Sequence, residues 1–380
     1  MAADLTYDYA VIGAGIAGAS VAYRLSPTAS VVVLEREAQP GYHSTGRSAA
    51  MFMETYGTDQ IKALTRASRD FYEHPPQGFC EHPLLSPRGV LYIAAPGQQD
   101  LLREVYDDFR GQSPNVTLID AEQALARVPC LRPDQVCGAI EEPDARDIDV
   151  HALHQGFLRG MARQGALLRG NAELVAARHD GIAWTLTLAG GDTLRARVLV
   201  NAAGAWADHT ATLCGVRPVG LQPCRRTAFT FTGPDNVDFS HWPAVVGVDE
   251  SFYFKPDAGQ LLGSPANADP VPAHDVVPEE LDVATGIYRI ESATSLTIRR
   301  PRHTWAGLRS FVADGDFVIG WDGAMPAFFW LAAQGGYGIQ SAAGASRLAA
   351  DLLLDLPLNA SLTAQGVDPA RLSPTRFSQS

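Results

Sequence analysis

Residues 9–18 read YAVIGAGIAG, and this stretch decides the fold. Its first part, Tyr9–Ile12, is a short apolar run of the kind that forms a buried parallel strand. Helical spacing follows from Ile16 to Leu25, and Ser30–Leu34 is a second buried strand. Together these segments predict a strand–helix–strand unit within the roughly 30 residues that such a unit needs.

The glycines between the first strand and the helix have separate tasks. Gly13 permits the tight turn, Gly15 lets the backbone approach a pyrophosphate, and Gly18 lets the helix pack closely on the strand. An acidic residue ends the second strand at the spacing expected of a ribose ligand. The motif predicts a bound dinucleotide without distinguishing NAD from FAD. The predicted contacts of this unit are Gly13, Gly15, Ile16, Ala17, Gly18, Glu35 and Arg36.

Composition narrows the class of protein. The chain has 380 residues, which suggests two interleaved domains. A net charge of -12 argues against a nucleic-acid partner, because phosphate binding needs clustered Lys and Arg. The sequence shows no signal peptide and no apolar run of transmembrane length, so a cytoplasmic protein without a transmembrane segment is expected. Its 10 histidines show no metal-ligand spacing, and no metal is expected.

Further along the chain, the patterns predict more sheet and helix. A small antiparallel meander is expected over residues 172–196, followed by a separate buried strand, Val198–Asn201. Asp257-Ala258-Gly259 lies between two apolar runs and predicts a hairpin. A long helix is expected from Gly336 to Leu354.

Four downstream segments carry a resemblance to a known family. They are PGYHSTGRSAA (40–50), VLVNAAGAW (198–206), DGDFVIG (314–320) and QGGYGIQ (334–340). In this order they resemble the FAD-dependent D-amino-acid oxidase and glycine oxidase superfamily, and within it the bacterial D-arginine dehydrogenases. The resemblance covers nearly the whole chain.

The resemblance implies an α/β fold, α+β overall, with two domains. A Rossmann-like FAD-binding domain is expected from the discontinuous segments 1–85, 145–220 and 305–380. A substrate-binding domain with an antiparallel sheet is expected from the inserted segments 86–144 and 221–304.

The resemblance also implies FAD as the cofactor. Sarcosine oxidases usually hold FAD through a Cys near the C-terminus, but no Cys follows Cys224, so non-covalent FAD is expected. Backbone N–H groups of the glycine-rich segment would lie against the flavin pyrimidine ring, where a reduced flavin carries negative charge. The implied contacts are Ser44, Thr45, Ser48, Ala49, Ala50, Ala203, Gly204, Trp206, Arg309, Gly335, Gly336, Tyr337, Gly338, Ile339 and Gln340.

The same resemblance implies a site for an amino-acid substrate. Arg226 and Arg309 would bind the carboxylate, since the guanidinium fork suits bidentate contact. Tyr56 and Tyr253 would help them, and Gly336 would offer its carbonyl to the substrate amine. A structural ion pair remains the alternative for each arginine. Arg300 is a weaker competitor for the position of Arg309.

Three positions of the pocket depart from the D-arginine dehydrogenases. Met51 stands where they have a His that contacts the substrate amine, Val90 where they have a Glu against the guanidinium, and Ala244 where they have Met. Without a carboxylate, a buried guanidinium would lie unpaired at a cost of several kcal/mol. A pocket for neutral or apolar side chains is therefore predicted, with Glu54 left open as a substitute for the missing acid.

The predicted activity is oxidative deamination of D-amino acids, with an electron acceptor, a quinone or other carrier or oxygen, that the sequence leaves open. Alternatives within flavoenzymes are oxidation of another amine, such as glycine or a sarcosine-like secondary amine, or of a 2-hydroxy acid. Alternatives outside that class are a nicotinamide-dependent dehydrogenase and a non-catalytic FAD-binding module.

Overall fold

The computed structural model describes residues 6–113 and 115–377. The helices within this part are α1 (Ile16–Leu25), α2 (Asp59–Glu73), α3 (Gln99–Arg110), α4 (Ala121–Arg127), α5 (Val150–Arg163), α6 (Ala207–Leu213), α7 (Glu280–Ala293), α8 (Ala342–Leu353), α9 (Ala360–Ala364) and α10 (Pro369–Leu372). The strands are β1 (Thr6–Ile12), β2 (Val31–Leu34), β3 (Met51–Phe52), β4 (Leu85–Pro87), β5 (Val90–Ala94), β6 (Thr117–Ile119), β7 (Gly138–Glu142), β8 (Arg146–Ile148), β9 (Leu167–Arg169), β10 (Leu174–His179), β11 (Trp184–Leu188), β12 (Thr193–Asn201), β13 (Gln222–Phe231), β14 (Ala244–Gly247), β15 (Tyr253–Asp257), β16 (Gln260–Ser264), β17 (Asp269–Pro270), β18 (His303–Phe311), β19 (Val318–Trp321) and β20 (Phe328–Ala332).

The first sheet contains the strands of the glycine-loop unit. Its order is β10-β11-β12-β1-β2-β9, and β1 pairs in parallel with both β2 and β12. Side chains alternate across such strands, so Val11 and Val33 pack against helices on one face while Ala10 and Val32 pack on the other. Helix α1 packs against α5 and α8, which fixes its N-terminus at the end of β1.

The predicted meander is part of this first sheet. Thr193–Asn201 is one continuous strand, where the sequence suggested two. Its first half pairs with β11 and its second half pairs in parallel with β20. The break was predicted at Arg197, but a single polar residue on the surface of a strand does not interrupt the ladder.

The second sheet has the order β17-β13-β16-β15-β14-β5-β7-β6, with β18 on the other edge of β13. It is antiparallel except for the parallel pair β5–β14. The predicted hairpin joins β15 to β16, and its turn residues Ala258 and Gly259 both have positive φ, +46° and +77°. The mixed α/β fold class predicted from the sequence is therefore confirmed.

Strand β18 belongs to the second sheet, although the predicted boundary at residue 305 assigns most of it to the FAD-binding domain. It pairs with β13 from Gln222–Phe311 to Thr230–His303. The division into two domains stays a prediction. Strand β18 itself is hydrogen-bonded to the sheet that contains the inserted segments.

The C-terminal helix begins six residues later than the sequence pattern suggested. Residues 335–341 form turns, and α8 starts at Ala342. Gly335 has a φ of +50°, in the left-handed region, which is incompatible with a right-handed helix. The glycine-rich segment is thus a loop that precedes the helix.

Candidate functional site

Two adjoining cavities lie at the end of the first sheet where β1 runs into the glycine loop. The smaller is lined by Glu35, Arg36 and Trp206, and the larger extends between the two sheets to Arg309. Both cavities share six lining residues, so they form one continuous cleft: Gly15, Ser44, Thr45, Ala202, Gly204 and Ala205. A long ligand can therefore lie across the glycine loop with one end in each cavity.

The glycine loop brings backbone close to this cleft. Gly13 has a φ of +97°, and a Cβ there would lie 2.6 Å from the carbonyl oxygen of Ala202. A Cβ on Gly18 would lie 1.9 Å from the carbonyl oxygen of Gly13, so only glycine lets α1 approach the turn. The Ile16 N–H donates to Thr45 Oγ1 at 3.0 Å, which leaves the Thr45 hydroxyl free to donate to a phosphate.

Glu35 is buried and connects the second strand to this loop. Its Oε2 accepts the N–H of Ala14 at 2.8 Å, and its Oε1 accepts the N–H of Glu37 at 2.9 Å. Each carboxylate oxygen keeps a further acceptor position, and Glu35 lines the smaller cavity. The Arg36 guanidinium lies 4.8 Å from the ring centroid of Trp206 beside it. This end of the cleft suits a sugar and a flat ring.

At the other end, Arg309 lies directly against the glycine-rich loop. Its Nη2 donates to the hydroxyl of Tyr56 at 3.1 Å, and its guanidinium lies 5.9 Å from the ring centroid of Tyr337. A Cβ on Gly336 would lie 1.7 Å from Arg309 Nη2. Gly336 therefore has to be glycine for the guanidinium to occupy this place.

Arg226 is another arginine that lines the larger cavity. Arg226 Nε donates to the carbonyl oxygen of Asn267 at 2.5 Å. Among the residues that the structure describes, no carboxylate lies within 4.0 Å of Arg226 or Arg309. Burial and the neighbouring charge of Arg309 lower the pKa of Arg226. For Arg309, burial acts in the same direction, but Tyr56 offsets it and the net shift of the pKa is upward. Glu250 on the same cavity acts on the pKa of Arg226 in the opposite direction to burial, but burial and Arg309 are the larger causes. Two adjacent cations without a bonded carboxylate among the described residues make this part of the cavity a candidate anion site.

The neighbouring arginines differ from this pair. Arg225 points to the other face of β13 and is bonded to Asp269, Glu279 and Asp282. Arg300, the competitor for Arg309 in the sequence, is exposed. A structural ion pair was the alternative role for Arg226. The structure shows such ion pairs at Arg225, the residue before it.

Most predicted site residues line the cleft. The larger cavity is lined by Gly15, Ile16, Ala17, Ser44, Thr45, Ser48, Ala49, Ala50, Met51, Tyr56, Gly204, Arg226, Ala244, Tyr253, Arg309, Gly335, Gly336, Gly338, Ile339 and Gln340. The smaller is lined by Gly13, Glu35, Arg36, Ala203, Gly204 and Trp206. Their roles remain predictions, and the structure brings them together along one cleft.

Three predicted residues line neither cavity. Gly18 packs against Gly13, and Tyr337 packs its ring against Tyr56 with centroids 4.8 Å apart. Val90 is fully buried, and the ladder places it between Ala244 on one strand and Glu142 on the other. Val90 therefore adds nothing to the cavity surface, although Ala244, which pairs with it on the neighbouring strand, does line the cavity.

Glu54 does not replace the missing acid of the pocket. Its carboxylate accepts from Arg69 Nε at 2.9 Å, and Glu54 does not line the cavity. Arg69 also binds Glu73, so this group is an ion-pair cluster outside the site.

Sequence reasoning missed several residues of the larger cavity. Lys255 lines it, and its Nζ donates to Asp147 at 2.6 Å, while Arg88 donates to the same carboxylate at 2.7 Å. Lys255 lies two residues after Tyr253 on the same strand, so the alternation of strand faces could have identified it. Glu250 lies in a turn with a φ of +54°, and no sequence pattern marks it.

Residues 6–113 and 115–377 show neither a candidate metal site nor a candidate membrane-spanning helix. No three His, Cys, Asp or Glu side chains there are arranged to bind a metal ion. None of the helices in this part of the chain has the length and apolar character needed to span a bilayer.

The sequence matches a family model over most of its length. The sequence model of the family described as "FAD dependent oxidoreductase" (DAO) matches residues 8–352. The chain belongs to this family. Its cofactor is accordingly FAD, as the sequence predicted, and the recognition of the superfamily is confirmed.

Individual relatives are distant. Human mitochondrial dimethylglycine dehydrogenase is 27% identical over 267 residues, 67% of this chain and 30% of that protein. Glycine oxidase of Geobacillus kaustophilus is 24% identical over 219 residues, 55% of this chain and 58% of that protein. The chain thus spans about 30% of the length of the dimethylglycine dehydrogenases that it matches.

Solved structures share the whole fold. The crystal structure of the Geobacillus kaustophilus glycine oxidase superposes with a TM-score of 0.84 at 22% identity and covers 98% of this chain and 99% of its own. Iminodiacetate oxidase from Chelativorans sp. BNC1 gives a TM-score of 0.81 at 21% identity, covering 96% of this chain and 98% of its own.

The cleft fits FAD in both shape and chemistry. The smaller cavity would hold the adenosine, with Glu35 at the ribose and Trp206 beside it. The glycine loop would hold the pyrophosphate against the start of α1. The flavin would lie in the larger cavity, with the loop Gly335–Gln340 at its edge.

Proposed function

We propose that this DAO-family protein catalyses the oxidative deamination of D-amino acids with neutral side chains. The observation that carries this proposal is a pair of guanidinium groups on the cavity, Arg226 and Arg309, which form no ion pair with any carboxylate in the part of the chain that the structure describes. Such a pair needs an anionic ligand, and a substrate carboxylate has the matching planar geometry.

The protein's part in the reaction is to position and shield the substrate. Arg226 and Arg309 clamp the carboxylate, and the hydroxyls of Tyr56 and Tyr253 add hydrogen bonds to it. The carbonyl of Gly336 accepts from the amine. A carboxylate and an amine held at fixed points determine where the Cα hydrogen lies, which is the main requirement for transfer.

Bound FAD supplies the acceptor for the hydride that leaves the substrate Cα. The amine must first release a proton, because its lone pair forms the new C=N bond as the Cα–H bond breaks. Water then hydrolyses the imino acid to a 2-oxo acid and ammonia. The site needs neither a nucleophile nor a metal for these steps.

The selectivity for the substrate side chain depends on the residues of the cavity that would surround that side chain. Met51, Ala244 and Val246 line this part of the cavity, Val90 lies beneath it, and Glu54 is bonded to Arg69. A guanidinium beside Met51, Ala244 and Val246 would be unpaired, at a cost of several kcal/mol, because the carboxylate that lines the same cavity, Glu250, lies on the turn after β14. Arginine is therefore a poorer substrate than residues of similar length without charge.

Another amine is the second candidate. The names of the similar proteins, glycine oxidase, iminodiacetate oxidase and dimethylglycine dehydrogenase, support an amine in general. A 2-hydroxy acid has less support, because its oxidation calls for a base near the hydroxyl and Met51 is not one. The acceptor of the electrons is proposed to be a quinone or another carrier rather than oxygen.

An anaerobic titration tests the proposal. The purified holoprotein is mixed with D- and L-amino acids, glycine, sarcosine, iminodiacetate and 2-hydroxy acids, and the visible flavin absorbance is followed. We expect neutral D-amino acids to bleach the flavin, and kcat/KM for D-Arg to fall below the values for D-Met, D-Leu and D-Phe. Bleaching by sarcosine or iminodiacetate alone would select the second candidate. A kcat/KM for D-Arg equal to that for D-Met would contradict the argument from Val90.

A further inference from the structure

One edge of β13 changes its partner strand beside Arg226. Strand β16 pairs with β13 on one side of this point and β17 pairs with it on the other. Residues 265–268 connect these two strands and belong to neither. Within the connection, Ala266 has a φ of +51° and lines the larger cavity. An irregular segment of this kind at a sheet edge can redirect a neighbouring side chain.

Two side chains near the connection bind the backbone of β13 where the ladder is interrupted. Asn267 Oδ1 accepts the N–H of Thr227 at 2.9 Å, and Ser264 Oγ donates to the carbonyl oxygen of Thr227 at 2.6 Å. Thr227 is fully buried, so both of its backbone groups need such partners.

The side chain of Asn267 is held on its other side as well. Its Nδ2 donates to Asp269 at 2.7 Å and to Asp282 at 3.1 Å. The amide nitrogen has only donors and the amide oxygen only acceptor positions, so these contacts determine which end of the amide faces Thr227. Asn267 therefore fixes the connection to β13 in one orientation.

The backbone of the same residue contacts Arg226. The carbonyl oxygen of Asn267 accepts from Arg226 Nε at 2.5 Å, and this is the one hydrogen bond of Arg226 with the residues that the structure describes. With Nε occupied, the guanidinium keeps its Nη1–Nη2 edge for two parallel contacts with a carboxylate. Arg309 is supported differently, because its Nη2 donates to the hydroxyl of Tyr56.

We propose that Asn267 is a positioning residue of the carboxylate clamp. Its side chain anchors residues 265–268 on Thr227, and its backbone carbonyl directs the fork of Arg226 into the cavity. The inference rests on the carboxylate clamp of the proposed function and adds the residue that aims one of its two arginines. Loss of the Asn267 side chain should then weaken the contribution of Arg226 and leave that of Arg309.

A double-mutant cycle tests the inference without turnover. The probe is 4-methylpentanoate, a carboxylate without an amine, and its dissociation constant is measured from the change in the flavin spectrum of holoprotein. The variants are Asn267→Ala, Arg226→Gln and the two combined. Asn359→Ala is the matched control, because Asn359 also accepts a backbone N–H, that of Ser361 at 3.0 Å, but does not line the larger cavity.

We expect Asn267→Ala to weaken binding of 4-methylpentanoate about 5- to 10-fold in the otherwise unaltered protein. When Arg226 is already replaced by Gln, the same substitution should weaken binding less than about 2-fold, because Asn267 acts through Arg226. Asn359→Ala should leave the affinity unchanged. Equal weakening by Asn267→Ala in both backgrounds would show a general structural role and overturn the inference. If Asn267→Ala does not fold, Ser264→Ala removes the other anchor on Thr227 and carries the same expectation.

The cycle also separates this inference from the proposed function. If Arg226→Gln weakens binding of the probe but Asn267→Ala does not, the clamp stands and the inference is wrong. If Arg226→Gln leaves the affinity unchanged, Arg226 does not bind a carboxylate, and the clamp and the inference are both wrong. If the cycle gives the expected result but no D-amino acid bleaches the flavin, the positioning role stands and only the proposed reaction is lost.

Discussion

At the scale of single residues, the shape of the site depends on glycines, which have no side chain, as well as on the arginines and tyrosines. Gly336 leaves the space that the guanidinium of Arg309 occupies, with only 1.7 Å between Nη2 and the place of a Cβ. Ala333 and Gly335 on the same loop both have positive φ, +58° and +50°. The chain turns sharply here, so that backbone rather than side chains faces the cleft and the guanidinium of Arg309.

Gly336→Ala should therefore displace Arg309 and weaken substrate binding. We expect kcat/KM for the best D-amino acid to fall at least about 30-fold, the equivalent of roughly 2 kcal/mol for charge-assisted hydrogen bonds. Gly190→Ala is the control, because a methyl group there meets nothing within 4 Å. Unaltered kinetics of Gly336→Ala would show that Arg309 does not bind the substrate.

Glu142 provides a second prediction at this scale, on stability against pH. Burial, and to a lesser degree the nearby Glu54 and Asp144, raise its pKa from 4.5 to about 7, against the opposing hydrogen bond from Thr55. The folded state then binds more protons than the unfolded state between these values. The contribution of Glu142 to stability accordingly falls as pH rises from 4.5 to about 7 and stays low above that range.

Glu142→Gln removes this titration while keeping an acceptor for Thr55. We expect the variant to gain stability relative to the unaltered protein as pH rises from about 5 to about 8, measured by thermal unfolding of the holoprotein. A difference for Glu142→Gln that is constant over this range would contradict the shifted pKa.

At the scale of elements, the glycine loop, α1 and the turn after β12 act as one unit. A Cβ on Gly18 would lie 1.9 Å from the carbonyl oxygen of Gly13, so any side chain pushes α1 away from β1. The N-terminus of α1 then moves away from the place of the pyrophosphate.

Gly18→Ala should consequently lose FAD before it loses its fold. The measurement is visible flavin absorbance per protein after gel filtration, with far-UV circular dichroism to follow secondary structure. We expect little flavin and retained secondary structure, and full flavin content in Gly190→Ala. Normal flavin content in Gly18→Ala would mean that α1 does not position the cofactor.

At the scale of the whole molecule, a buried ion cluster joins the small sheet β3-β8-β4 to the second sheet. Asp147 on β8 binds Lys255 on β15 at 2.6 Å and Arg88 at 2.7 Å. Lys255 and Arg88 have side-chain exposures of only 8% and 13%. The cluster fixes the wall of the cavity, since Met51 pairs with Asp147 across β3 and β8.

Asp147→Asn should leave two cations uncompensated and destabilise the protein by roughly 3 kcal/mol. Chemical denaturation with excess FAD measures the change in the free energy of unfolding. Asp134→Asn, which breaks an exposed ion pair with Arg132, is the control and should leave stability unchanged. Equal stability of the two variants would show that Lys255 and Arg88 find other partners.

The amino-acid sequence by itself determined the glycine-loop unit. The helix predicted from Ile16 to Leu25 has those bounds in the structure, because a tight turn, a close helix and two buried strands are local steric requirements. The fold class, the family and FAD followed from motifs whose order along the chain is specific. The sequence also named Arg226 and Arg309, which both line the larger cavity, while their role in binding a carboxylate stays a prediction.

Only the tertiary structure decided which side chains face the cleft. Arg225 and Arg226 are adjacent, and the pairing of β13 with its neighbours turns one towards three carboxylates and the other into the cavity. Val90 and Tyr92 lie on one face of β5, yet only Tyr92 lines the cavity. Lys255, Tyr92 and Glu250 line the same cavity as Gly15 of the glycine loop, although they are far from it in sequence. Such contacts depend on how two sheets pack together, and no local pattern encodes that.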